Sequence, residues 1–190
     1  MNRRELYQWL TRALGAAVAA VVVIPGVRFL LDPLHRRSTT TDLYKRVARL
    51  DELELETPKE VIVTGTRQDA WTTYRDEVLG RVWLVKKSSP SEAPGEADVA
   101  AFTAVCPHEG CIVQLDLAGE QFVCPCHRAA FFPNGKRLSA EELGHDNPSP
   151  RDLDTLPSRI QLDEATGEWW VEVQYHKYKL GGAKQELLEG

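Results

Sequence analysis

All four cysteines of this 190-residue chain fall in two short segments, Cys106-Pro107-His108-Glu109-Gly110-Cys111 and Cys124-Pro125-Cys126-His127. Each segment sets a thiol close to an imidazole and carries one further cysteine. Thiolate and neutral imidazole suit zinc and iron better than they suit hard cations. Two of each can hold a single zinc ion, or a two-iron cluster with thiolates on one iron and imidazoles on the other. Spacing alone does not separate these metals. The cysteines are too few and too closely grouped for a disulfide-dense secreted scaffold, so they serve one local site. No nucleophile stands beside a base and no open metal position is indicated, so catalysis by this chain alone is not expected.

The elements that must position these segments read as strands. Val61-Ile62-Val63 is β-branched, and Gly80-Arg81-Val82-Trp83-Leu84-Val85-Lys86 is a short apolar run. Residues 99–105 and Gln121-Phe122-Val123 lead into the two cysteine segments, and Glu168-Trp169-Trp170-Val171-Glu172-Val173 is a late strand. Residues 88–98 are rich in turn formers and read as loop. No 3.6-residue apolar period accompanies these strands, so the fold class is all-β with antiparallel sheets. A hydrophobic content of 43% suits one ordinary domain, and a net charge of -5 leaves no basic stripe for nucleic acid. From residue 32 onward 19 basic residues stand against 27 acidic ones, so this portion is acidic.

The amino terminus reads differently. Residues 13–27 carry no charge. As helix they span about 22 Å, short of a hydrocarbon core of about 30 Å. Adding Trp9-Leu10-Thr11 and Phe29-Leu30-Leu31 restores the length if Arg12 and Arg28 snorkel to the interfaces. A retained transmembrane helix within 1–31 is expected, ahead of a cleaved secretory signal or a buried helix. Pro25 and Gly26 are expected to mark a kink or the helix end. Basic residues are balanced on the two sides and do not orient the span. Arg3-Arg4-Glu5-Leu6 is similar to a twin-arginine export signal. Residues 32–58 read as a polar tether or hinge, loosest at Ser38-Thr39-Thr40-Thr41, and 59–190 as the folded head.

The two cysteine segments resemble the Cys-x-His-x-Gly-Cys and Cys-Pro-Cys-His boxes of Rieske iron–sulfur proteins, specifically the disulfide-bearing kind of cytochrome bc and related complexes. The resemblance implies one [2Fe-2S] cluster held by Cys106, His108, Cys124 and His127. It implies a disulfide between Cys111 and Cys126 that clamps the two loops. It also implies a cluster-binding subdomain at about 100–155, inserted between strands of a base domain. Asn147-Pro148-Ser149-Pro150-Arg151-Asp152-Leu153 is similar to the family's proline-rich loop, in which Pro148 and Pro150 would cover the cluster from a third side. His127 is the implied hydrogen-bond partner of a quinol. On this resemblance the chain is a one-electron carrier of a membrane quinol-oxidising cytochrome bc-type complex. Its partners would be a cytochrome b subunit, a c-type cytochrome and the membrane quinol. It would cross the bacterial cytoplasmic membrane once, with the head on the periplasmic face.

Departures from the family pattern refine this expectation. High-potential members carry Gly-Ser-x-Tyr after the second box, whereas this chain has Arg128-Ala129-Ala130-Phe131. In the family the Ser and Tyr hydroxyls hydrogen-bond cluster sulfurs and stabilise the reduced state. Ala129 and Phe131 donate no such bonds, which implies a low potential matched to menaquinol. Glu109 stands where the family has an apolar residue and Arg128 where it has glycine, so the tip is more polar. For Glu109 and Arg151 two readings stand, contact with the cluster environment and, by default, surface charge; His35, His145 and His176 read as solvated or packed side chains. Residues 175–190 read as a polar surface arm. Two other readings remain. One is the Rieske subunit of a periplasmic oxidase such as arsenite oxidase, which needs no permanent anchor. The other is a membrane-anchored structural zinc module, which iron content would separate.

Overall fold

The computed structural model describes residues 2–35, 44–69, 72–87 and 94–188. The Ser38-to-Thr41 part of the expected tether and residues 88–93 of the expected loop lie outside them. The chain divides into two units, residues 1–40 with 67–74, and residues 41–66 with 75–190.

The first unit contains helix α1, Arg3–His35. Its 33 residues make about 50 Å of helix, more than a bilayer's hydrocarbon core. Mean hydropathy reaches 2.2 and the apolar window buries nothing against protein, so its valines and leucines are free to face lipid. Of the two readings of Pro25-Gly26, a kink or the helix end, the second does not hold: the helix continues to His35. Proline removes one helical hydrogen bond. Ending the helix there would instead leave several carbonyls without partners in an apolar surrounding.

Three small antiparallel sheets make up the second unit, except that residues 67–69 and 72–74 at the ends of β2 and β3 group with the first. β2 (Lys59–Asp69), β3 (Thr72–Lys86), β4 (Val99–Thr103) and β8 (Thr155–Leu156) form the central one in that order. A second sheet orders β1 (Lys45–Arg49), β10 (Trp169–Val173) and β9 (Ser158–Leu162). The third is β5 (Gln114–Leu115), β6 (Phe122–Val123) and β7 (Ala130–Phe131).

Side-chain alternation on β3 explains how these sheets stack. Val82 and Leu84 enter one buried cluster with Val99, Ala101, Val171 and Val173. Trp83 and Val85 enter the other with Phe102, Phe122 and Phe131. A strand buried on both faces reads as an unbroken apolar run, which is what residues 82–85 are. The Trp83 Nε1–H donates to the Val113 carbonyl at 3.3 Å, joining the central sheet to the third one.

The head begins earlier than residue 59. Lys45 pairs with Val173 across β1 and β10, while Ala48, Leu50 and Leu53 are buried in the first cluster. Charged neighbours hid these three apolar residues, because a five-residue edge strand offers only one or two inward positions. A four-residue helix, α2 (Ala140–Leu143), was also unread; Ser139 and Glu142 form a capping box at its start.

Gly135 stands where the third sheet's loop touches the central one. Its φ is +81°, and a Cβ there would lie 2.4 Å from the Phe102 ring. Left-handed backbone and overpacking each cost an ordinary residue about 1–2 kcal/mol or more. Gly135→Ala is therefore expected to lower the head's stability by about 2–4 kcal/mol in urea unfolding. A loss well under 1 kcal/mol would show that the ring moves aside.

Candidate metal centre

Two loops hold the cysteine segments, one between β4 and β5 and the other between β6 and β7. They share one backbone design. In the first, the Cys106 N–H donates to the Cys111 carbonyl at 2.8 Å and the Gly110 N–H to the Cys106 carbonyl at 3.0 Å. In the second, the Cys124 N–H donates to the Ala129 carbonyl at 2.7 Å and the Arg128 N–H to the Cys124 carbonyl at 3.0 Å. Each thus forms a knuckle that turns through a left-handed residue, Gly110 with φ +83° and Arg128 with φ +61°. Arg128 occupies a conformation that glycine adopts more cheaply, which is why the family pattern has glycine there.

The side chains converge as the two boxes require. Cys111 and Cys126 are joined by a disulfide with their Cα atoms 6.5 Å apart. Cys106 and Cys124 are free and buried within the second apolar cluster. The His108 and His127 rings lie 4.9 Å apart, centre to centre, at 79° to each other. His108 Nδ1 is buried without a hydrogen-bond partner. A buried imidazole nitrogen left unpaired is costly, and facing a metal removes that cost. Burial pushes the Cys106 thiol up to about 12, so a metal is needed to hold it as thiolate. Two buried thiols, two neighbouring imidazoles and an orphaned ring nitrogen fit a [2Fe-2S] cluster of mixed ligation.

The loop carrying Pro148 and Pro150 is tied to the second knuckle's exit. The Asn147 side-chain amide donates to the carbonyls of Ala130 at 2.8 Å and Leu138 at 3.0 Å. Arg137 donates to the Ser149 carbonyl at 2.8 Å. Leu153, from the same loop, packs in the buried cluster that holds both free thiols. Ala129 and Phe131 are fully buried in that cluster too.

At the exposed tip, a Glu109 carboxylate oxygen stands 3.7 Å from His127 Nδ1, with both side chains about half or more exposed. Glu109 is a surface charge as the sequence suggested, facing His127. Arg151 is not one. Its side chain is 7% exposed and makes a two-pronged pair with Asp154, each contact 2.7 Å. Sequence spacing offered one signal for this pair, opposite charges three residues apart, but nothing that marked it as buried. Elsewhere, His145 Nδ1 lies 2.9 Å from the Asp146 carbonyl, and His176 packs near Tyr178 with ring centres 6.4 Å apart.

A sequence profile of the Rieske [2Fe-2S] domain matches residues 44–156. The chain is 30% identical over 141 residues to the menaquinol:cytochrome c reductase iron-sulfur subunit of Geobacillus thermodenitrificans, covering 73% of this chain and 77% of the relative. The protein of the same name from Bacillus subtilis is 28% identical over the same shares of the two chains. The cytochrome b6-f complex iron-sulfur subunit 2 of Trichormus variabilis is 25% identical, over 90% of this chain and 94% of the relative.

Proposed function

From the premise that the chain belongs to the Rieske [2Fe-2S] domain family, we propose that it is the iron–sulfur subunit of a membrane quinol-oxidising cytochrome bc-type complex, with menaquinol as the donor. The observation that carries this reading is the pairing of the disulfide-clamped knuckles with an exposed His127 beside a half-buried His108 whose Nδ1 is buried and unpartnered. Bound in this site, a [2Fe-2S] cluster supplies one-electron redox chemistry. Cys106 and Cys124 hold one iron, and His108 and His127 the other. The Cys111–Cys126 disulfide keeps the two loops together, and the loop with Pro148 and Pro150 closes the third side.

His127 has the catalytic role. Its exposed ring can meet a quinol hydroxyl and, with the ring nitrogen that faces away from iron deprotonated beforehand, would take the quinol proton there as the electron passes to the bound cluster. A proton acceptor that is also an iron ligand couples the two transfers. Helix α1 keeps the head at the membrane that dissolves the quinol, with the head on the outer face. The membrane partner is a cytochrome b subunit, and electrons leave to a c-type cytochrome. The relatives are subunits of such complexes by name, which supports this assignment.

Purification of the full chain from its native membranes in mild detergent tests the assignment. The expected preparation carries b- and c-type haem, iron with acid-labile sulfide, and menaquinol-dependent reduction of cytochrome c. Co-purification with a molybdenum protein, and release of the chain by carbonate wash, would replace the complex by a periplasmic oxidase. Zinc in place of iron would overturn the redox reading altogether.

A further inference from the structure

The carboxy-terminal segment is exposed almost throughout from Lys177 onward, yet it is held in a defined shape. Its two limbs pair through the Lys179 N–H to the Glu186 carbonyl at 2.9 Å and the Leu188 N–H to the Lys177 carbonyl at 2.8 Å. The Thr155 carbonyl accepts from the Tyr178 hydroxyl at 2.8 Å and the Gln185 amide at 2.9 Å, and further contacts set the hairpin against the rest of the head. Arg151, already paired with Asp154, donates to the carbonyls of Lys179 at 2.8 Å and Gly182 at 2.5 Å. The Gly181 N–H donates to the Pro107 carbonyl at 2.8 Å, on the residue before His108.

The guanidinium has five N–H groups, and a buried cation needs partners for them. Asp154 takes two, and the hairpin's carbonyls satisfy others. Tyr178 alone carries the hairpin onto the first apolar cluster, so apart from it and the Thr155 bonds the Arg151 bonds are what fasten the turn at Lys179 to Gly182. Asp154 also accepts the Thr103 N–H at 2.9 Å through its backbone, just ahead of the first knuckle. Leu180 closes the arrangement: a Cβ on Gly110 would come within 2.9 Å of its Cδ1. The Gly110 position is thus filled by the hairpin's side chain instead of its own.

We propose that the carboxy-terminal hairpin, locked by the buried Arg151–Asp154 pair, is a bracket that positions the His108 loop from outside. The inference rests on the Rieske reading, because what the bracket holds still is a cluster ligand. Arg151 is a positioning residue: it acts through Gly181, Pro107 and Leu180 and touches neither cluster nor quinol. Fixing the loop keeps water from the His108 side. A reduced cluster carries one more negative charge than the oxidised one, so water entering there favours reduction.

The test uses the full chain in detergent and the variant Arg151→Lys, which keeps the positive charge but loses the fork. Iron and sulfide content are expected to match the parent chain. Amide hydrogen exchange over residues 108–111 is expected to speed up roughly tenfold, and the midpoint potential to rise. Faster exchange confined to residues 177–188, with loop and potential unchanged, would overturn the bracket. If Arg151→Lys does not fold, a chain ending at Ala183 removes the hairpin's closing limb, exposed over residues 184–188, and is expected to give the same two shifts. Absence of a Rieske paramagnetic signal from the parent chain itself would instead overturn the cofactor reading beneath the proposal.

Discussion

Replacing Cys111 and Cys126 together by alanine is expected to leave a folded head that releases its cluster about a hundredfold faster than the parent chain. The two sulfurs join loops separated by 15 residues in sequence. Closing a loop of that length costs an open chain about 3 kcal/mol of conformational freedom, which at 1.4 kcal/mol per tenfold is about two orders of magnitude. The cost falls on the knuckles and not on the whole head. Cys126 lies on the surface and Cys111 at the edge of the second apolar cluster, whose centre is Trp83, Phe102, Phe122 and Phe131. Circular dichroism should therefore report a near-native head while iron transfer to a chelator accelerates. A parent-like rate of iron loss would show that the knuckles' backbone bonds suffice without the covalent link.

The second large effect is on potential. Ala129→Ser and Phe131→Tyr are each expected to raise the midpoint by roughly 30 to 65 mV. A hydrogen bond to a charged acceptor contributes about 1.5–3 kcal/mol, and taking about half of this as the difference between redox states gives that range for one electron. Both positions are fully buried in the cluster of side chains that contains Cys106 and Cys124. The Ala129 carbonyl also accepts the Cys124 N–H, which ties its backbone to that of a buried thiol residue. A hydroxyl placed there has no water to turn to. If it meets sulfur, the potential rises and the melting temperature holds. If it meets only carbon, the potential stays and stability falls by about 1–3 kcal/mol, the cost of a buried unpaired hydroxyl. Redox titration together with thermal unfolding separates the two.

How far the residues spoke for themselves varied by element. The strands legible in advance were those buried on both faces or rich in β-branched residues, such as 82–85 and 61–63. Those missed were short: β1 has a single buried side chain, Ala48, and β5, β7 and β8 are two residues each. Two-residue strands carry no period, because pairing depends on what lies opposite. The transmembrane length of α1 was legible because an uncharged run needs no partner to be recognised, while Pro25-Gly26 left a kink and a helix end equally open.

The sequence by itself determined the chemistry of the site. Thiols, imidazoles and their spacing within each box are local properties, and a cysteine or histidine brings its ligand atom wherever the backbone goes. Only the tertiary structure decided what surrounds those ligands. It made Arg151 a buried clamp, set the Glu109 carboxylate beside His127, and laid an exposed carboxy-terminal hairpin against the His108 loop. Each of these joins residues distant in the chain or depends on burial. A buried charge is tolerated only where the fold supplies partners for it, and those partners are chosen by packing across the whole head.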